Sequence, residues 1–168
     1  MKRDSLFIVM GVSGCGKSTI ARLLAEATGS HWLDADNFHT PEKKAKMHSG
    51  IPHTDDDRRP WLDRLNAELR AIAGKGEIVF LACSALKQRY RDRLTTGLSG
   101  TRFVYLKCPP ELIRARLLRR KGHFMPASLL DSQFAELEEP HDALVLDGAG
   151  TPEEMVRQFL ELTPSIRE

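Results

Sequence analysis

Gly11-Val12-Ser13-Gly14-Cys15-Gly16-Lys17-Ser18 decides how this chain folds. The stretch matches the pattern G-x-x-x-x-G-K-[ST] without interruption. Gly11, Gly14 and Gly16 permit a tight turn whose N–H groups converge on an anion, and Val12, Ser13 and Cys15 complete the cradle. Lys17 supplies a point charge for β- and γ-phosphates, and the Ser18 hydroxyl suits Mg²⁺. Upstream, Leu6–Met10 reads as a short apolar strand. Downstream, Ile20, Leu23, Leu24 and Ala27 recur at helical spacing, so a helix turns its N-terminus toward the same phosphates.

The rest of the chain limits the setting. Its 168 residues suit one domain, 1–168, with a proper core. A hydrophobic fraction of 41% and a charged fraction of 29% are those of a soluble globular protein, and a net charge of +2 gives no case for nucleic acid. The apolar stretch after Met1-Lys2-Arg3-Asp4 is too short for a secretion signal, and no later one approaches the length needed to span a membrane. Cys15, Cys83 and Cys108 are scattered, without a C-x-x-C pair, and read as reduced thiols of a cytoplasmic protein. Six dispersed histidines show no metal-binding spacing.

Apolar runs alternate with helical patterns. Trp32-Leu33, Ile78–Cys83, Phe103–Leu106 and Ala143–Leu146 continue the strand series begun at Leu6. Leu62, Leu65, Leu69 and Ile72 mark one helix, and Leu112, Ala115, Leu117 and Leu118 another. Thr151-Pro152 opens the last one with an N-cap and a first-turn proline. This alternation predicts an α/β fold, a parallel sheet covered by helices. Two polar segments interrupt it. Residues 37–60 read as a substrate-holding insertion. A second segment, from Arg119 to about 138, reads as a mobile lid with Gly122 near its hinge.

Asp34-Ala35-Asp36 follows the second strand, at the edge of a parallel sheet that faces the phosphate loop. One carboxylate can hold Mg²⁺ while the other takes a proton from an attacking hydroxyl. The third strand ends in Cys83-Ser84 rather than the aspartate expected of a motor ATPase, and no guanine-reading N-K-x-D is present. Both observations favour a kinase for small molecules. Arg114, Arg116, Arg119, Arg120 and Lys121 crowd one helix end, where they can serve phosphate charge in the transition state. Lys87 and Arg91, four residues apart, are expected to present two cations to the cleft.

These residues resemble the gluconokinase family, close to shikimate kinases among the nucleoside-monophosphate-kinase-like P-loop proteins. The matching stretches run in order through nearly the whole chain. Beyond the glycine loop they are Asp34-x-Asp36-x-x-His39, Lys46-Met47-x-x-Gly50-x-Pro52, Asp57-Arg58-x-Pro60-Trp61-Leu62, Cys83-Ser84-Ala85-Leu86-Lys87, Tyr90-Arg91-Asp92, Arg120-Lys121-Gly122-His123-Phe124 and Gln133-x-x-x-Leu137-Glu138-x-Pro140. The resemblance implies a three-layer fold with a five-stranded parallel sheet in the order 2-3-1-4-5. It implies ATP-dependent phosphorylation of D-gluconate at its 6-hydroxyl, in a homodimer. Other sugar acids or shikimate-like acceptors, and a nucleotide-binding regulator without catalysis, are the competing readings. By match to the family's motifs, Asp36 would be the base, and Asp34 and Ser18 would serve Mg²⁺. His39, Arg58, Lys87, Arg91 and His123 would hold the polyol acid. Arg116 would pack on adenine and Arg120 would reach the transferring phosphoryl. Two departures fall in the insertion: Lys43 stands where the family often has Asn, and His53 where Leu is usual.

Overall fold

All five residues of Leu6–Met10 are buried, because this strand has a neighbour on each side and a helical layer on each face. The computed structural model describes residues 5–51, 53–119 and 127–167. Strands β1 (Leu6–Met10), β2 (His31–Asp34), β3 (Val79–Ala82), β4 (Thr101–Lys107) and β5 (Leu144–Asp147) form one sheet in the order β2-β3-β1-β4-β5. Every pairing is parallel, so the order and strand direction implied by the resemblance hold.

The helices are α1 (Lys17–Thr28), α2 (Pro41–His48), α3 (Asp55–Ala73), α4 (Gln88–Leu94), α5 (Pro110–Arg119), α6 (Ala127–Glu136) and α7 (Pro152–Leu162). Strand alternation divides the core in two. Phe7, Val9, Phe80 and Val104 pack with Ile20 and Leu24 of α1 and Met155 and Phe159 of α7. Leu6, Ile8, Met10 and Leu81 pack with Leu62, Leu65 and Leu69 of α3 and Leu94 of α4. The second cluster reaches β4 through Tyr105 but contains no residue of β5. Edge strand β5 is therefore not buried throughout as its apolar sequence suggests: Val145 is 50% exposed.

The polar segment 37–60 is largely helical rather than an irregular excursion. It holds the end of a short 3-10 turn (Ala35–Phe38), then α2 and the start of α3. Thr54 caps α3 through a capping box with Asp57, and α3 continues past Pro60. Proline removes one helical N–H, and its would-be acceptor belongs to exposed Asp56, where water can take the bond. Asp57 also accepts from Lys43 and, at 2.6 Å, from Lys46, which ties α2 to α3. Those hydrogen bonds, from Lys43 first, hold the Asp57 carboxyl far below the usual carboxylate range.

Phe159 of α7 is fully buried and meets Phe7 and Phe80 edge-on at centroid distances of 5.3 and 5.6 Å. Phe159→Ala leaves a cavity between sheet and helix. We expect it to lower unfolding free energy by about 3–5 kcal/mol, measured by urea titration.

Candidate active site

Parallel pairing brings three loops to one edge of the sheet. The register sets Asp34 of β2 opposite Ala82 of β3, and Val9 of β1 opposite the same residue. The glycine loop, the Asp34–Asp36 turn and the Cys83–Leu86 loop leave together and border a cavity of about 490 Å³.

The glycine loop has the conformation its sequence requires. Gly11 has φ 150° and Gly14 has φ 85°, and a Cβ on Gly11 would come within 2.7 Å of Cys15 Sγ. Gly16 caps α1 without a side-chain bond, leaving the helix N-terminus to an anion. Lys17 Nζ donates to the Val12 carbonyl at 3.1 Å. Ser13, Gly14, Gly16, Lys17 and Ser18 line the cavity. Val12 and Cys15 are buried behind them, and burial, the largest influence on Cys15, raises its thiol above the ordinary range. Cys15 is thus a packing residue, not an oxidisable surface thiol.

Asp34 joins two parts of the site. Its Oδ2 accepts from the Ser18 hydroxyl at 2.7 Å, and its Oδ1 accepts from the Asp36 N–H at 2.9 Å. The turn is held from below by Trp61, whose indole N–H donates to the Ala35 carbonyl at 2.8 Å. Crowding by the cleft walls, then the charge of Asp34, push the Asp36 carboxyl above the usual carboxylate range. Its side chain is still 70% exposed, so the cleft crowds the group without sealing it and the shift is tempered by water.

His39 stacks on Trp61 at 4.2 Å and meets His53 edge-on at 4.9 Å. His53 Nε2 lies 2.8 Å from the Lys43 carbonyl, to which its N–H donates. His39 Nδ1 is buried with no hydrogen-bond partner. Arg58 donates to the Tyr90 hydroxyl at 2.7 Å and to Glu136 of α6 at 2.9 Å. Tyr90 in turn donates to Asp55 at 2.7 Å. His39, Arg58, Trp61 and Tyr90 all line the cavity, as do Lys44 and His48 of α2.

The structure thus brings together Lys17, Ser18, Asp34, Asp36, His39 and Arg58. Lys87 and Arg91 depart from expectation: neither lines the cavity. Arg91 is only 2% exposed and donates to the Ala85 carbonyl at 2.7 Å and the Glu138 carbonyl at 2.9 Å. The reason lies in the loop it supports. Ala85 has φ 47°, a strained conformation for a residue with a side chain, and Arg91 fastens its carbonyl. Lys87 sits at the N-cap of α4. Arg116 donates to the Gly148 carbonyl at 2.8 Å, outside the cavity wall. Arg120 and His123 lie outside the described residues.

Sequence reasoning missed Trp61, Tyr90, Lys44, Gln133 and Glu136. Trp61 carried a usable signal: a tryptophan on an apolar helix face buries its N–H and needs an acceptor. Gln133 carried none beyond its place in a shared motif and Glu136 none at all, because their partners are distant in sequence.

Burial under Trp61, followed by the charges of His53 and Lys44, holds the His39 imidazole down to about 4, against 6.5 in the unfolded chain. The unfolded state therefore binds the extra proton first. Stability contributed by neutral His39 is complete above about pH 6.5 and is lost as pH falls toward about 4. The raised Asp36 value acts in the opposite sense, so a paired comparison isolates the histidine. Thermal midpoints across that range should fall more steeply for wild type than for His39→Phe, which keeps the stack on Trp61.

Comparison with known proteins agrees with this arrangement. Residues 6–140 match a family model described as an AAA domain. The chain is 46% identical over 134 residues to the thermosensitive gluconokinase of Escherichia coli K12, covering 80% of this chain and 72% of that protein. It is 43% identical over 164 residues to the gluconokinase of Gluconobacter oxydans, covering 94% and 92%. The solved structure of a gluconokinase from Sinorhizobium meliloti 1021 superposes with a TM-score of 0.87 at 38% identity, covering 99% of this chain and 95% of that one. With the glycine loop, the strand order and the likeness over most of its length all in agreement, the chain belongs to the gluconokinase family of P-loop kinases.

Proposed function

We infer that the chain transfers the terminal phosphoryl of ATP to the 6-hydroxyl of D-gluconate, giving 6-phospho-D-gluconate and ADP. One observation carries this reading beyond the family name. A single cavity holds the phosphate loop at one end and, beyond Asp36, a set of histidines and cations fitted to a polyhydroxy acid.

In this reading the roles of the cavity residues rest on their position and chemistry, and those of Arg116, Arg120 and His123 on the shared motifs alone. The loop amides and the α1 N-terminus take the phosphates, with Lys17 as the mobile charge. Asp36 faces the cavity with a raised carboxyl value, which suits a group that orients a hydroxyl and accepts its proton. Arg58 offers a planar fork to the gluconate carboxylate, in place of its bond to Glu136. His39 Nδ1, buried and without a partner, gains one from an acceptor hydroxyl. Arg116 packs on adenine at the loop after β5. Arg120 and His123, from the motif before α6, complete the set at the phosphoryl and the acceptor.

Ser18 and Asp34 are hard oxygen donors 2.7 Å apart and fit Mg²⁺. Among the described residues no group of three acidic, histidine or cysteine side chains could hold a metal alone. That suits an ion whose other positions are filled by phosphate and water. When bound, Mg²⁺ neutralises phosphate charge. The reading includes a homodimer in the cytoplasm. Three buried free cysteines support a reducing compartment, and no helix among the described residues is long and apolar enough to cross a membrane.

Mass-detected 6-phosphogluconate after incubation with MgATP and gluconate tests the reaction, with other sugar acids and shikimate as competitors. Turnover of one of those instead of gluconate would sink the assignment. Asp36→Asn should lower kcat by about 100-fold or more while nucleotide still binds, checked by steady-state kinetics and calorimetry. Arg58→Ala should instead raise KM for gluconate by about 10-fold or more and leave ATP affinity unchanged, since it removes a charged bond to the acid.

A further inference from the structure

Gln133 belongs to a shared motif that the phosphoryl chemistry leaves without a role. Its side chain is 9% exposed and meets Ser13 twice. Oε1 accepts from the Ser13 backbone N–H at 2.7 Å, and Nε2 donates to the Ser13 hydroxyl at 2.9 Å. A backbone N–H can only donate, so the contact fixes which end of the carboxamide faces which atom.

The peptide unit held in this way is Val12–Ser13. Its other end is the Val12 carbonyl, which accepts from Lys17 Nζ at 3.1 Å and from the Cys15 N–H at 3.3 Å. The unit is planar, so its N–H and carbonyl turn together. The plane turns about ψ of Val12 and φ of Ser13, so a bond at either end of the unit helps to fix it. Within the loop the Cys15 N–H holds the carbonyl end, and Gln133 holds the N–H end from 120 residues away.

We propose that Gln133 is a positioning residue for phosphoryl transfer, acting through the Val12–Ser13 peptide on Lys17. It fixes the plane whose carbonyl anchors the lysine ammonium. Gln133 stands on α6, one turn before Glu136, which holds Arg58 at the acceptor end. The helix that steadies the lysine therefore also borders the acid-binding end of the cavity. The inference rests on the kinase reading only for its kinetic readout.

Gln133→Leu keeps volume and removes both bonds. In ligand-free protein, hydrogen exchange at the Ser13 amide, followed by NMR, should accelerate about 10-fold or more, since its protecting bond is lost. In turnover, kcat should fall about 10-fold or more with KM for gluconate within about twofold, as expected for misplaced transition-state charge. Gln133→Glu, which keeps an acceptor for the amide, should restore slow exchange. Should the leucine variant fail to fold, Gln133→Asn, one methylene shorter and still polar, takes its place with the same thresholds. A folded variant with unchanged Ser13 exchange, or with kcat within about twofold of wild type, overturns the proposal. Wild-type protein inert toward gluconate would count against the acceptor assigned above, while the exchange measurement would still decide the role of Gln133.

Discussion

Parallel pairing of β1, β2 and β3 is the constraint on which the site depends. Strands that run the same way end at the same edge, so three loops that are distant in sequence open together. Backbone bonds carry the register into the loops: Cys83 N–H donates to Val9 O at 3.0 Å, and Gly11 N–H to Ser84 O at 3.3 Å. Ser18 then meets Asp34 across the gap between α1 and β2. A slip of one residue in β2 would reverse the faces of its side chains and take Asp34 out of reach of Ser18. The two-sided core resists that slip, because the alternation of β2 sends Trp32 to one cluster and Leu33 to the other.

What could be read from sequence was what is local or governed by that alternation. The glycine loop carries its conformation in eight consecutive residues, and Asp34 and Asp36 follow a strand whose direction the loop already implies. The five strands announced themselves as apolar runs. Arg91, four residues from Lys87, was expected to turn its charge to the cleft, but it is buried. Its real partners are the Ala85 carbonyl, in a strained loop, and the Glu138 carbonyl, 47 residues on. The contact from Gln133 to Ser13 spans 120 residues and has no periodicity to reveal it. In the segment 37–60, prolines and charges suggested an open excursion. A capping box at Thr54 and the paired lysines on Asp57 make most of it helical instead.

The groups suited to bind charge are held by internal partners. Lys17 rests on a carbonyl, Ser18 on Asp34 and Arg58 on Glu136. Such contacts keep long side chains ordered and spare their charges from standing unpaired among low-dielectric walls. Lys17 has three N–H donors and can meet phosphate oxygens while keeping the Val12 carbonyl, whereas an acid's carboxylate at Arg58 would have to replace that of Glu136. The net gain from that exchange is smaller than the contact alone would suggest. What remains is the advantage of groups already near their working positions, which lowers the ordering cost of reaction.

That advantage is most valuable for a reaction in which the protein forms no covalent bond. Phosphoryl transfer is governed by placement and by charge neutralisation, and water is always an available competitor for the phosphoryl. A site that organises the phosphate loop and the acceptor end independently could activate ATP with no acid present. Here α6 touches both, through Gln133 at Ser13 and Glu136 at Arg58. One rigid helix thus fixes both the Ser13 peptide and the Arg58 guanidinium, and sets their spacing across the cavity.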